Sequence, residues 1–362
     1  MMHVPILRSV AVLLVWLMAI AGGQAVRAAD ALECDTGLPA STMRLFDGHD
    51  HLRVESVEAG EDDLALLAAA GVSLGMLALG TPDADANSIA RMLQTSSVHP
   101  VFTFAWAPTL VVDGVKVFSS TASSVVRGQL EAGGRGVGEM TLRHSGPPLL
   151  AADIAANDAT AMEIYAEAAA HGVPVSIHFE TRDKSAPGVD ITSRIDELRA
   201  ALSANPNTIF IWCHLGDTGP ATVRALIEDF DNLYADLSSR NPHFVRDWPL
   251  SLQSLSDGGG SLKPEWKNLF EDYSDRFLFG LDLASDDRWA QLSTVVTYYR
   301  EVLGQLSQET AEKIACKNAN ALLTIPSVPS SSGPWTAFLV LSVLVTGLLA
   351  GKRSLALSSA PR

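Results

Sequence analysis

Eight short apolar runs, separated by stretches of helical periodicity, restrict residues 44–325 to an α/β architecture built on a parallel sheet. The runs read RLFDGHDHL, SLGMLAL, VFTFAW, GVGEMTL, VPVSIHFE, IFIWCHLGD, NLYADLS and RFLFGLDLA. Between them lie EDDLALLAAAG, ANSIARMLQ, SSVVRGQLEAG, DATAMEIYAEAAAHG, TSRIDELRAAL, GPATVRALIEDF and KPEWKNLFEDY, with a long final helical pattern from Asp287 to Leu323. Strand and helix in eightfold alternation predict a closed (β/α)8 barrel, which typically needs about 250 residues. A doubly wound open sheet is the competing architecture, but no glycine-rich phosphate loop follows the first strand.

Both ends of the chain read as targeting segments. Residues 1–28 carry Arg8, an apolar stretch and a small-residue close in which Val26 and Ala28 suit a cleavage site, so a signal peptide and export are expected. Residues 29–43 form a lead-in, and 44–325 the barrel. A Pro/Ser/Gly linker at 326–334 precedes an apolar segment at 335–351 and a basic tail at 352–362. That layout predicts a single transmembrane span or a sorting signal, with the tail cytoplasmic and the barrel on the periplasmic or cell-surface side.

A net charge of −15 makes nucleic acid an unfavourable partner, because phosphates would meet a repulsive field. Three cysteines are too few for a disulfide-built scaffold. In an oxidising compartment Cys34 and Cys316 can pair and clip the two ends of the barrel together, whereas Cys213, in an apolar strand, reads as a core residue.

The chemistry is concentrated where the strands end. His49 and His51 are two residues apart, so in an extended strand they face the same side. Glu139 ends the fourth run, His178 the fifth, His214 the sixth and Asp282 the eighth. Imidazole and carboxylate are ligands of divalent ions, and an ion held there acidifies water. Asp282 is placed both to bind metal and to accept the water's proton, returning it later to the leaving group. Any one of these histidines alone reads more readily as a hydrogen-bonded core residue; their joint placement at successive strand ends favours the metal reading. Glu139 has a second reading as a residue that orients a ligating imidazole. Asp47 and Asp50 should face away from the metal and serve turns or ligand orientation.

This ordered set, His49, His51, Glu139, His178, His214 and Asp282, resembles the amidohydrolase superfamily of metal-dependent TIM-barrel hydrolases, especially the amidohydrolase-related (amidohydrolase 2) group. The closing KNANALL is similar to that group's last helix. The resemblance spans residues 44–325 and implies a divalent metal, zinc first and manganese or another ion as alternatives, with one or two ions bound. A strand-four glutamate is similar to the TatD-like branch and implies two metals, although GEMTLRH departs from that branch's GE-x-GLD and argues against its nuclease activity.

Arg143, Arg182 and Arg240 follow strands four, five and seven, where forked hydrogen bonds can hold a substrate carboxylate or phosphate. Pairing with Glu180, Asp236, Asp286 or Asp287 is the alternative for them. Trp106, Trp212 and Phe179 are candidate pocket walls or core. The leading expectation is an exported hydrolase that opens an amide, ester, lactone or phosphoester bond of a small molecule. A nonhydrolytic decarboxylase and a noncatalytic surface-binding barrel are the alternatives.

Overall fold

The computed structural model describes residues 34–52, 56–74, 76–77, 102–145, 152–182, 190–244 and 253–323. In chain order the strands are β1 (Leu45–Asp47), β2 (Val72–Leu74), β3 (Met76–Leu77), β4 (Phe102–Ala105), β5 (Thr109–Val112), β6 (Val115–Phe118), β7 (Gly136–His144), β8 (Ala152–Asp153), β9 (Val175–Phe179), β10 (Phe210–Trp212), β11 (Leu233–Asp236) and β12 (Phe277–Leu278). The parallel ladder runs β3-β4-β7-β9-β10-β11-β12, and β1 pairs in parallel with β2. Across the remaining seam, Gly48 N donates to Phe279 O at 2.8 Å, and Leu281 N and Asp282 N donate to His49 O at 3.1 and 2.9 Å. The eighth strand position therefore meets the first, and the sheet closes as expected.

Helices cover the outside: α1 (Val57–Ala69), α2 (Ala122–Glu131), α3 (Ala159–His171), α4 (Thr192–Ala204), α5 (Pro220–Asp229), α6 (Pro264–Asp272), α7 (Asp286–Trp289), α8 (Leu292–Leu303), α9 (Gln308–Glu312) and α10 (Asn318–Leu323). Their inward faces and the strand side chains form one large core, in which Val175, Ile177, Leu226, Leu269 and Val295 are fully buried. Each such side chain contributes about 1.5–3 kcal/mol through removal from water. A smaller cluster gathers Phe46, Phe104, Ile211 and Leu278 against Cys316, Ala319 and Leu322. Cys34 packs on that cluster and is disulfide-bonded to Cys316, as the cysteine count allowed, with Cα atoms 5.7 Å apart.

Two features differ from the sequence expectation. The helical pattern from Asp287 to Leu323 is divided: the chain leaves α8 at Gly304, and Ser307 caps α9 by accepting from Thr310 N. A π-helical turn at Lys313–Lys317 then leads into α10. After β4, a β5–β6 hairpin was not anticipated. Its Asp113–Gly114 turn has both residues at positive φ (51° and 80°), the arrangement that matches strand twist in two-residue hairpins. The expected signal peptide (1–28), ANSIARMLQ, the linker (326–334), the apolar segment (335–351) and the basic tail (352–362) lie outside the described residues. Among the described residues no helix is long and apolar enough to cross a membrane.

Candidate metal centre

The six strand-end residues converge at one end of the barrel. One carboxylate joins them: Glu139 Oε2 lies 3.7 Å from His49 Nε2 and 3.5 Å from His51 Nε2, while Oε1 lies 2.8 Å from His178 Nδ1 and 3.4 Å from His214 Nε2. Asp282 completes the ring, with Oδ1 3.4 Å from His51 Nε2 and Oδ2 3.7 Å from His214 Nε2. Among the described residues five groups of three have their ligand atoms within 4.8 Å of one another, and two of these together use all six strand-end residues: His49, His51 and Asp282, and Glu139, His178 and His214.

Local backbone geometry produces this convergence. Gly138 has φ +138°, and a Cβ there would stand 2.6 Å from Ser176 O, so only glycine lets β7 approach β9 and turn Glu139 inward. After β10 the chain enters a left-handed turn, with His214, Leu215 and Asp217 at φ 57°, 53° and 49°. Asp282 has φ 61°. Such conformations cost about 1–3 kcal/mol each in non-glycine residues and persist where surrounding contacts impose them. Here the contacts are hydrogen bonds from His214 N to Asp236 Oδ1 (3.0 Å) and from Asp282 N to His49 O (2.9 Å).

In three imidazoles one ring nitrogen is held by a partner outside the converging set and the other faces the carboxylates of the centre. His49 Nδ1 donates to Asp236 Oδ2 at 3.0 Å, His178 Nε2 donates to Glu180 Oε1 at 3.2 Å, and His214 Nδ1 lies 2.7 Å from Ser238 Oγ and 3.2 Å from Ser238 O. In the neutral rings these partners favour the tautomer in which His49 Nε2, His178 Nδ1 and His214 Nε2 carry the lone pair. His49 Nε2 is buried and makes no hydrogen bond among the described residues, although it points at the carboxylates. A polar atom left this way in the interior is costly unless something binds it.

The electrostatics state the same requirement. Burial opposes charge on His51, yet Asp282 and Glu139 outweigh it and push the imidazole up to about 9. Burial likewise opposes charge on His178, but Glu139 and Glu180 raise it to about 10. His49 is also raised against its burial, by Cys213, Asp236 and Glu139. Conversely, Asp282 is held well below the usual carboxylate range, despite burial, by Arg288 and then His214. Glu139 is lowered in the same way, against burial, by His49 and His178. With neutral imidazoles this cavity would hold the uncompensated charge of Glu139, Asp236 and Glu180, Asp282 being paired with Arg288. Nitrogen and oxygen donors around a negative cavity suit a divalent cation.

A family model described as amidohydrolase matches residues 112–325. The chain belongs to the amidohydrolase family. No curated protein matches this amidohydrolase by sequence. Among solved structures, an uncharacterised TIM-barrel protein from Bordetella bronchiseptica is 17% identical, over 74% of this chain and 82% of that one, with a TM-score of 0.51. A putative amidohydrolase from Staphylococcus aureus is 14% identical over 78% and 100%, with a TM-score of 0.49. A 5-carboxyvanillate decarboxylase from Sphingomonas paucimobilis is 11% identical over 77% and 98%, also at 0.49. The first of these shows the shared barrel fold.

The arginines expected to hold substrate are engaged elsewhere in this amidohydrolase. Arg143 forks onto Glu197 through Nε and Nη2 and also pairs with Asp153. Arg182 pairs with Asp190 at 3.2 Å. Arg240 is 1% exposed; it donates to the backbone oxygens of Gln253, His214 and Thr218 and lies over the Trp266 ring. These are the pairing arrangements, and the acids used are Glu197, Asp153 and Asp190 rather than the four anticipated. Trp212 and Phe179 are core residues, joined by Trp212 Nε1 donating to Phe179 O at 2.7 Å.

Asp47 and Asp50 turn away from the converging ligand set, as expected, and fasten the seam. Asp47 Oδ1 accepts from His49 N and Leu281 N, and Asp50 Oδ1 from His51 N and Leu283 N. Four residues were not assigned to the site from sequence: Asp236, Ser238, Glu180 and Arg288. Asp236 carried a usable signal, since it ends the seventh strand run as the ligands end theirs. Arg288 carried none, because α7 folds it back onto Asp282.

Proposed function

We propose that this amidohydrolase is a divalent-metal-dependent hydrolase that cleaves an amide, ester, lactone or phosphoester bond in a small molecule. The observation that carries the proposal is Glu139 reaching the histidines of both ligand groups, with Asp282 beside His51 and His214. Zinc is the first choice for nitrogen-rich sets of this kind, with manganese next. Bound ions would acidify water and polarise the scissile group.

The chain's own residues supply the rest. His49, His51, His178 and His214 would hold the ions with Glu139, and Asp236, Glu180 and Ser238 fix the imidazoles. Asp282 receives the proton of the attacking water and hands it to the leaving group. Its low proton affinity keeps the carboxylate ionised and ready at neutral pH. The disulfide between Cys34 and Cys316 supports placing the barrel in an oxidising compartment, reached through the signal peptide at 1–28 and retained by the apolar segment at 335–351.

Metal quantification of the purified full chain, beside its Asp282→Asn variant, tests the proposal. Native protein should retain divalent metal and hydrolyse members of an ester, lactone and amide panel, and the variant should keep most metal while losing at least about a hundredfold in kcat. A native protein that holds no metal under metal-replete conditions sinks the mechanism. Release of carbon dioxide from carboxylated substrates, with no hydrolysis, replaces it with decarboxylation.

A further inference from the structure

Arg288 stands apart from the other arginines near the barrel mouth. It lies on α7, immediately after strand position eight, and its Nη1 donates to both the backbone oxygen and Oδ2 of Asp282. The guanidinium carbon sits 4.9 Å from the centroid of the Phe244 ring, which supports one face of the plane. The side chain remains 23% exposed. Among the described residues nothing accepts a hydrogen bond from its Nε or Nη2. Arg143 and Arg240 offer no comparable edge, being committed to Glu197 and Asp153 and to three backbone oxygens, and Arg182, which donates through Nε to Asp190, is buried.

A guanidinium presents paired donors in one plane, and a carboxylate accepts them in the same plane. Arg288 already spends one nitrogen on the proton-accepting residue, so its free edge is fixed relative to the reacting group. A second cation reinforces the field. On β6, Lys116 and Phe118 occupy the half-buried face while Val115 and Val117 are exposed. Burial lowers the Lys116 ammonium, the charge of Glu139 opposes that shift, and among the described residues Lys116 has no ion-pair partner.

From this geometry we infer that Arg288 reads a carboxylate on the substrate, so that the preferred substrates are small organic acids carrying the scissile bond. The inference rests on the hydrolase reading above and names its substrate class. Phe244 holds the guanidinium plane, Asp282 sets its position, and the acid group docks on the edge that remains. A neutral analogue would leave that edge without its partner and bind more weakly.

Calorimetric titration of the metal-loaded full chain with glutarate and with glutaramide provides the test, using wild type, Arg288→Gln, Arg288→Lys and the surface control Arg276→Gln. Wild type should bind glutarate at least tenfold more tightly than glutaramide, Arg288→Gln should abolish that preference, and Arg276→Gln should leave it intact. Arg288→Lys, which keeps the charge without the fork, should retain metal and lose at least threefold; it decides the matter if the glutamine variant fails to fold or to hold metal. Equal affinity of wild type for the two ligands, or undiminished glutarate binding in the metal-loaded lysine variant, overturns the inference. Failure of the hydrolase reading shows differently, as absent turnover on every ester and lactone tried while the glutarate preference survives.

Discussion

Asp236 Oδ2 lies 3.0 Å from His49 Nδ1, and this one carboxylate ties three strands of the barrel to the candidate metal centre. Its other oxygen accepts from His214 N and Ser238 N, each at 3.0 Å, and from Ser238 Oγ, which in turn contacts His214 Nδ1. Two imidazoles from different candidate ligand groups therefore take their orientation from one buried carboxylate. Asp236→Ala should lower metal affinity by about 10–100-fold, the usual effect of removing a group that orients a ligating histidine. Asp236→Asn should be milder, because an amide oxygen can replace Oδ1 while His49 loses its anionic acceptor. Competition against a chelator measures both; wild-type affinity in the alanine variant would contradict the assigned role.

The raised imidazoles make metal binding and stability depend on pH. His51 and His178 bind protons up to about 9 and about 10, against an ordinary value of 6.5. In the metal-free protein their contribution to stability is fully present below about pH 6.5 and is lost as pH rises through 9 to 10, where the folded state gives up protons that the unfolded chain has already released. A metal ion requires the neutral rings, so loading at pH 7 should expel about two protons from this pair. Titrations in buffers of different ionisation enthalpy should give a matching slope. The metal-free melting temperature should fall from pH 7 to pH 10, and loading should remove most of that fall. A slope of zero would show the rings to be already neutral.

The barrel was legible because each strand run and most helices obey a simple periodicity, and because six metal-type side chains end five of those runs. The supporting residues were not. Glu180 and Asp236 look in sequence like acids available to any nearby arginine, and only the closed sheet places them beside His178 and His49. Arg143, Arg182 and Arg240 sit at loop positions suited to substrate, but burial favours the nearest internal acceptor. Arg240 shows this most clearly, since its interior guanidinium is satisfied by backbone oxygens. The Asp113–Gly114 turn between alternating apolar residues was a readable hairpin signal that the strand count absorbed.

Asp50 offers a separate test of how the barrel closes. Its Oδ1 accepts from His51 N at 2.8 Å and Leu283 N at 2.7 Å, joining the first and last strand positions in a fully buried setting. Burial raises this carboxyl to about 6. Asp50→Ala leaves both donors without a partner and should cost about 2–4 kcal/mol in denaturant unfolding. Asp50→Asn keeps an acceptor at the same place and should cost clearly less. Equal losses in the two variants would mean that charge, rather than the two hydrogen bonds, is what the seam requires.

The disulfide should contribute stability by a different route. Cys34 and Cys316 are 282 residues apart, so the bond restricts the unfolded chain over almost the whole barrel while resting on the cluster of Phe46, Phe104 and Leu278. Loss of the cross-link should lower unfolding free energy by about 2–4 kcal/mol, with an entropic share that grows only logarithmically with loop length. Cys34→Ser is the cleaner variant, because Cys34 is only partly buried on that cluster whereas Cys316 is buried within it. Reductant should destabilise the native protein and leave Cys34→Ser unchanged. Metal affinity should be the same in both, since neither cysteine is among the residues that converge on Glu139. A variant as stable as the native protein under oxidising conditions would show that lead-in packing alone holds the end of the barrel.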